Sequence, residues 1–256
     1  MNDITAIILA AGMGVRMGPR GKLCPKGLIK VGGTALVAQS VASLRAWGVA
    51  RIVIVTGHLA DQYQAAFGGG DVTLLHNPHY ATTGSLRSLA VALAAVDGPC
   101  VILESDLIYA PQALDCIDEN GNRLITSGPT GAGDEVYVWA SAAQGGPEHL
   151  VEISKRKDAM PGPHFGELVG VTGLTHASAL RMRDVAQQVL TRAPEEHYEH
   201  GLVALSREIG IEVVRIDGLP WAEIDDEAML ERAERLVYPR ILAARDSAAR
   251  QHFPVD

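Results

Sequence analysis

The stretch Ile4-Thr5-Ala6-Ile7-Ile8-Leu9-Ala10-Ala11-Gly12-Met13-Gly14-Val15-Arg16-Met17 sets the reading of the whole chain. Ile4 to Ala10 is a short, nearly continuous apolar run, and the small-residue cluster Ala10-Ala11-Gly12-Met13-Gly14 follows at once. A run of that length with that punctuation reads as a buried strand feeding a tight loop. Glycines just after a strand let backbone N–H groups come close to phosphate oxygens. Two nucleotide-binding patterns fail here. The dinucleotide pattern GxGxxG needs glycine at position 17, where Met17 stands, and the Walker pattern needs Gly-Lys-Ser/Thr, whereas Leu23 follows Gly21-Lys22. What remains is a small-residue loop with Arg16 and, ten residues on, Lys26 in Pro25-Lys26. Two fixed cations beside such a loop suit a triphosphate; an ordinary strand–helix turn is the alternative.

Outward from this stretch, the hydrophobic pattern alternates between strands and helices. Thr34 to Trp47 reads as a helix with Thr34 as N-cap, an apolar face of Leu36, Val37, Val41, Leu44 and Trp47, and Gly48 as terminator. Strands are expected at Arg51 to Val55, Val72 to His76 and Cys100 to Leu103, with helices at Leu59 to Phe67 and Ser85 to Val96 between them. Strands alternating with helices predict an α/β fold: a Rossmann-like, mostly parallel sheet flanked by helices on both faces. The second half is less regular. Possible strands at Leu124 to Ser127, Val136 to Ala140, Leu168 to Leu174 and Ile211 to Ile216 predict a smaller mixed region with antiparallel members. Helices are expected at Ala177 to Leu190, His197 to Ile209 and from Asp226 to at least Leu236, and the polar tail from Arg245 is expected to fray. The Gly/Pro-rich segments 128–133, 145–147 and 160–164 read as loops over a site.

Composition narrows the function classes. The chain has 256 residues, 47% hydrophobic and 20% charged, enough to bury a sizeable core and too apolar for general disorder. Net charge is −8, which argues against non-specific nucleic-acid binding. No apolar run approaches the ~20 residues of a membrane span. Met1-Asn2-Asp3 lacks the basic start of a signal peptide, and Cys24, Cys100 and Cys116 show no CxxC spacing. The expectation is a reduced, cytoplasmic protein. Within this acidic chain, residues 1–33 carry Arg16, Arg20, Lys22, Lys26 and Lys30 against Asp3 alone. Such a local excess reads as a site for a small polyanion or as a solvated loop.

The segment from Leu9 to Met17 with Pro25-Lys26 closely resembles the signature of the nucleoside-triphosphate transferase family, the sugar-nucleotide pyrophosphorylases and cytidylyltransferases. The likeness continues through Gly32-Gly33-Thr34-Ala35-Leu36, Ile52 to Gly57, Asn77-Pro78-His79-Tyr80, Glu104-Ser105-Asp106 and Glu223-Ile224-Asp225, nearly the whole chain. It is nearest to the phosphonate and phosphocholine cytidylyltransferases. It implies one nucleotidyltransferase domain over residues 1–256, with a nucleotide-binding half at 1–127 and an acceptor-binding half at 128–256.

The resemblance assigns roles residue by residue. Lys26 and Arg16 become the catalytic cations. Leu9, Ala10, Ala11, Gly12, Met13 and Gly14 hold the nucleotide's phosphates, and Thr83, Gly84 and Ser85 read the base. Asp106 and Asp225 become ligands of Mg²⁺, which takes carboxylate and phosphate oxygens together. Their ordinary alternatives are a turn residue and a helix N-cap. Glu104 and Asp226 are neighbours that could substitute or tune. A cationic acceptor would want carboxylates and aromatic faces, with Glu135, Glu167, Glu199, Tyr137, Tyr198 and Trp221 as candidates. The residues themselves make Lys155 and Lys157 either ligands for its phosphate or phosphonate or members of a solvated charge run. The implied partners are CTP or another NTP and a small phosphonate or phosphate acceptor, with no nucleic acid or membrane and with room for a homodimer. Sugar-1-phosphate or inositol-phosphate nucleotidyl transfer, a catalytically silent nucleotide-binding regulator and a dinucleotide-dependent oxidoreductase are the competing readings.

Overall fold

The computed structural model describes residues 3–142 and 145–252. The chain opens with β1 (Thr5–Ala10), a turn of 3₁₀ helix at Val15–Met17, α1 (Pro19–Leu23) and a second 3₁₀ turn at Lys26–Leu28. There follow β2 (Lys30–Val31), β3 (Thr34–Ala35), α2 (Leu36–Trp47), β4 (Arg51–Thr56), α3 (Ala60–Phe67), β5 (Val72–His76) and α4 (Ser85–Ala95). Next come β6 (Cys100–Glu104), β7 (Leu107–Tyr109), α5 (Gln112–Asp115), β8 (Arg123–Ser127), β9 (Tyr137–Ala142), β10 (Glu148–Ser154) and β11 (Gly166–Leu174). The chain ends with α6 (His176–Arg192), α7 (Tyr198–Ser206), β12 (Glu212–Ile216), β13 (Trp221–Glu223), α8 (Glu227–Arg232), a π turn at Ala233–Val237 and α9 (Tyr238–His252).

Nine strands form one sheet in the order β5-β4-β1-β6-β11-β8-β12-β10-β9. β5, β4, β1 and β6 are mutually parallel, β11 runs against β6 and β8, β12 is parallel to β8, and β10 runs against β12 and β9. β11 and β10 therefore oppose the other seven strands. The continuous apolar run of β1 has a direct cause, since both faces of the sheet are covered. Ile4, Ala6, Ile8 and Ala10 pack on one side with Leu36, Val37 and Leu44 of α2. Ile7 and Leu9 pack on the other with Leu86 and Leu89 of α4, Met182 of α6 and Leu202 of α7.

Four local readings need correction. Thr34 does not cap a helix; with Ala35 it pairs with Lys30 and Val31 in a small β-ribbon, and α2 begins at Leu36. The short strands β7 and β13 were not anticipated, because three residues carry no readable period. β10 was missed because its sequence, Glu148-His149-Leu150-Val151-Glu152-Ile153-Ser154, alternates poorly and holds a register shift between Leu150 and Glu152. The tail expected to fray from Arg245 instead continues α9 to His252, and residues 253–256 lie outside the described residues. Among the described residues no helix is long and apolar enough to cross a membrane.

The topology fixes where a ligand can sit. From β1 the chain steps to β4 and β5 on one side and then returns to β6 on the other. The order reverses between β1 and β6, and the crevice outside the carboxyl ends at such a point is where open α/β sheets bind ligands. The loops after β1, β5 and β6 all leave from that edge.

Candidate active site

At this edge lies a cavity of about 430 Å³. Leu9, Ala10, Ala11, Gly12, Met13 and Gly14 form one wall, together with Arg16 and Lys26. Thr83, Gly84 and Ser85 form a second wall, and Asp106, Lys155, Glu199 and Asp225 join from four further segments. Gly14 sits at φ +59°, a left-handed conformation that turns the chain sharply into the Val15–Met17 turn. Gly21 packs so closely against the Gly14 carbonyl that no Cβ fits, and this holds the loop folded back on itself.

The two aspartates are brought together by pairing that no local pattern could show. β13 lies antiparallel to β7, with Glu223 opposite Leu107, and the Ile224 amide donates to the Asp106 carbonyl at 3.0 Å. Asp225 is thereby held beside Asp106 although 119 positions separate them in the sequence. Asp225 is not the helix cap: Asp226 fills that role, accepting from the Met229 amide at 2.8 Å. The Asp225 side chain is 1% exposed and the Asp106 side chain 13%. Lys26 Nζ donates to Asp106 Oδ2 at 2.7 Å and also contacts Asp225 Oδ1. Arg16 contacts both Asp225 and Asp134, and Lys155 Nζ donates to the same Asp134 oxygen at 2.8 Å. The mouth of the cavity is thus a network of three cations and three carboxylates.

Asp106 and Asp225 converge on one cationic point, the Lys26 ammonium. Carboxylate oxygens from Glu104, Asp106 and Glu223 also lie within 4.8 Å of one another. An all-carboxylate donor set of this kind suits a hard divalent ion such as Mg²⁺.

Away from the half-exposed Arg16 and Lys155, the charge balance of the cavity changes. Glu104, Glu199 and Glu223 lie there with Tyr198, whose hydroxyl donates to Glu104 Oε1 at 2.5 Å. Burial, reinforced by Glu223, Glu199 and Asp106, pushes the Glu104 carboxyl well above the usual carboxylate range. Burial and then Asp106 raise Glu223 to about 7, and burial raises Glu199. Among the described residues, Glu199 Oε2 has no hydrogen-bond partner. Trp221 lines the same space and donates its indole N–H to Ser127 at 2.8 Å.

The wall expected to read a base is internally wired. Asn77 opens the turn after β5, donating to Ser88 Oγ at 3.1 Å and accepting from the His79 amide at 3.0 Å. The Thr83 hydroxyl donates to the His79 carbonyl at 2.8 Å, and Ser85 Oγ accepts from the Tyr198 amide at 2.9 Å. Neither Thr83 nor Ser85 caps α4, whose N-cap is Gly84. A Cβ at Gly84 would run into the carbonyl oxygens of Glu195 and Glu196.

Several expected acceptor contacts fall elsewhere. Glu167 is 4% exposed, lies outside the cavity and accepts from the Thr130 amide at 2.9 Å, anchoring a loop. Glu135 faces a small neighbouring pocket and accepts from the Gly133 amide at 3.0 Å. Tyr137 is buried beside His164, with ring centroids 4.7 Å apart, and Lys157 sits over its ring rather than in the cavity. In exchange, Glu104, Glu223, Asn77 and His197 line the site without having been assigned to it. Glu104 and Glu223 stood in the quoted motifs but only as neighbours of the aspartates. Asp134 carried no signal beyond its place in a glycine-rich loop.

Comparison with known proteins gives the class. A family model described as a MobA-like NTP transferase domain matches residues 6–152, more than half of the chain, and the chain belongs to that nucleotidyltransferase family. A CMP-5'-(3-aminopropyl)phosphonate synthase from Streptomyces rubellomurinus is 33% identical over 116 residues, 44% of this chain and 18% of that protein. A 2-aminoethylphosphonate cytidylyltransferase from Lancefieldella rimae is 34% identical over 111 residues, 42% of this chain and 44% of that protein. These matches span less than half the length of either relative. Among solved structures, the inositol-1-phosphate CTP transferase from T. maritima superposes with a TM-score of 0.78 at 20% identity, covering 96% of this chain and 97% of that one. The CTP:phosphocholine cytidylyltransferase from Streptococcus pneumoniae gives 0.74 at 17% identity, covering 91% and 99%. At these identities the structural matches show the shared fold.

Proposed function

We propose that the protein is a Mg²⁺-dependent cytidylyltransferase that joins CMP from CTP to a small amino-bearing phosphonate or phosphate, releasing pyrophosphate. The observation that carries this reading is the meeting of Lys26, Arg16, Asp106 and Asp225 beside the glycine loop in one cavity. An acceptor oxygen bonds to the α-phosphorus of CTP, the bond to the bridging oxygen breaks, and its electron pair leaves on pyrophosphate. The attacking oxygen is already anionic, so alignment and charge neutralisation do the work. Lys26 faces the transferring phosphoryl group. Arg16 and the amides of Ala11 to Gly14 hold the β- and γ-phosphates, and Thr83, Gly84 and Ser85 border the base. Asp106 and Asp225 would hold Mg²⁺, which supplies further positive charge on the phosphates. The buried carboxylates of Glu104, Glu199 and Glu223 favour a cationic group at the acceptor's far end, and the relatives that act on aminoalkyl phosphonates point the same way. Lys155, at the end of β10, would hold the acceptor's phosphonate.

The test is pyrophosphate release from each of the four NTPs with Mg²⁺, combined with 2-aminoethylphosphonate, phosphocholine, inositol phosphate or a sugar-1-phosphate. Release that requires CTP together with 2-aminoethylphosphonate or phosphocholine is the expected result. Release confined to a sugar phosphate with UTP, or none with any pair, contradicts the reading.

A further inference from the structure

Asp134 stands apart from the other acids around the site. It sits at the rim, in the loop between β8 and β9, and one of its oxygens touches both Arg16 and Lys155. Those cations come from two distant segments that both line the cavity, the glycine loop and the end of β10. Asp106 and Asp225 share Lys26, but Asp134 does not contact it. Burial alone would raise the Asp134 carboxyl, yet Lys155 and Arg16 hold it below the usual range, so it stays ionised. The loop does not depend on this contact for its shape. The Thr130 amide is tied to the buried carboxylate of Glu167, the Thr130 carbonyl accepts from Arg232 at 2.9 Å, and the Gly133 amide is tied to Glu135. Asp134 is thus a carboxylate on an anchored loop, bridging two cations that face the cavity.

We propose that Asp134 is a displaceable counter-anion whose carboxylate occupies, on Arg16 and Lys155, the positions that phosphate and phosphonate oxygens of the substrates take, and which thereby sets substrate affinity. This rests on the nucleotidyltransferase reading. Both cations are about half exposed, at 51%. Ion pairs of that exposure are individually weak, so a bound polyanion can replace them. An entering anion exchanges one set of charge-assisted hydrogen bonds for another, and its affinity is reduced by the cost of moving Asp134 aside.

The experiment is calorimetric titration of pyrophosphate, CTP and 2-aminoethylphosphonate, each alone, into wild type, Asp134→Asn and Asp158→Asn. Asp158 is exposed and pairs with Arg156, so its variant carries the same change in net charge without touching the cavity. Asp134→Asn is expected to bind pyrophosphate ~3- to 10-fold more tightly than wild type, with Asp158→Asn unchanged. Asp134→Ser makes the same comparison if the asparagine variant does not fold. Equal or weaker binding by the folded Asp134 variant overturns the proposal, and weaker binding would mean that the carboxylate positions Arg16 for the anion. Equal tightening in both variants also overturns it, by reducing the effect to net charge. Wild type that binds neither CTP nor pyrophosphate contradicts the nucleotide reading and this inference together; wild-type binding with an unmoved Asp134→Asn contradicts this inference alone.

Discussion

The two ends of the cavity are built from the same residue types in opposite states of balance. At the mouth each carboxylate meets a cation: Asp106 and Asp225 meet Lys26, Asp225 and Asp134 meet Arg16, and Asp134 meets Lys155. Deeper in, Glu104, Glu199 and Glu223 crowd together, and the hydrogen bond that Glu104 receives comes from a neutral tyrosine. A compensated network can exchange partners when a polyanion and its metal arrive, because every charge finds a new one. A group of buried acids whose carboxyls are pushed upward, with no cation in direct ion-pair contact, gains most from one. On the proposed function, the nucleotide's tail would sit at the mouth and the acceptor's positive end in the interior.

The most damaging test of this division is at the mouth. Lys26→Ala is expected to lower the rate of pyrophosphate release by ~10²–10³ with the far-ultraviolet dichroism of the fold retained, as loss of a charge-stabilising group at a reacting centre does. A variant with wild-type rate would remove Lys26 from the chemistry. At the interior, Glu199→Gln should raise KM for 2-aminoethylphosphonate by at least ~10-fold, the scale of a lost hydrogen bond between charged groups, while leaving CTP affinity within a factor of two or so. An equal loss for both substrates would erase the distinction between the ends. On the cavity wall, Gly84 packs on the carbonyls of Glu195 and Glu196. Gly84→Ala should cost roughly 1–3 kcal/mol, read from denaturant unfolding, because backbone rather than a flexible side chain must give way.

The smallest expected effect is on stability against pH. The folded state holds the Glu104 proton more tightly than the unfolded chain does, through burial and neighbouring acids. This group's contribution to stability is therefore fully present below the ordinary carboxylate range and is lost as pH rises toward the raised folded value. The melting temperature of Glu104→Gln should pull ahead of wild type as pH rises from the ordinary carboxylate range toward the raised folded value. A gap that stays constant across that range would mean that Glu104 is ionised in the fold at all of these values.

The mouth was largely legible in the sequence and the interior only in part, through Tyr198, Glu199 and Trp221, for a physical reason. The glycine loop, Arg16 and Lys26 are contiguous, and a buried strand followed by small residues is a local signal. Asp106 could be located because it follows an apolar run ending at the sheet's carboxyl edge. Asp225 came from its motif, but its partnership with Asp106 depends on β13 pairing with β7, a contact between distant three-residue strands with no period to read. The interior draws Glu104, Tyr198, Glu199 and Glu223 from three segments, and side-chain chemistry alone did not separate Glu199, in the cavity, from Glu167, anchoring a loop. Glu167 lies on β11, which is inserted antiparallel between β6 and β8, and that register is a tertiary fact.

The account turns on Asp106 and Asp225 acting together on a metal-bound triphosphate. The most direct measurement is pyrophosphate release by Asp106→Ala and by Asp225→Ala with CTP, Mg²⁺ and 2-aminoethylphosphonate, each variant checked for a cooperative melt. Loss of turnover in both folded variants is the predicted result; wild-type release by either one would contradict the account.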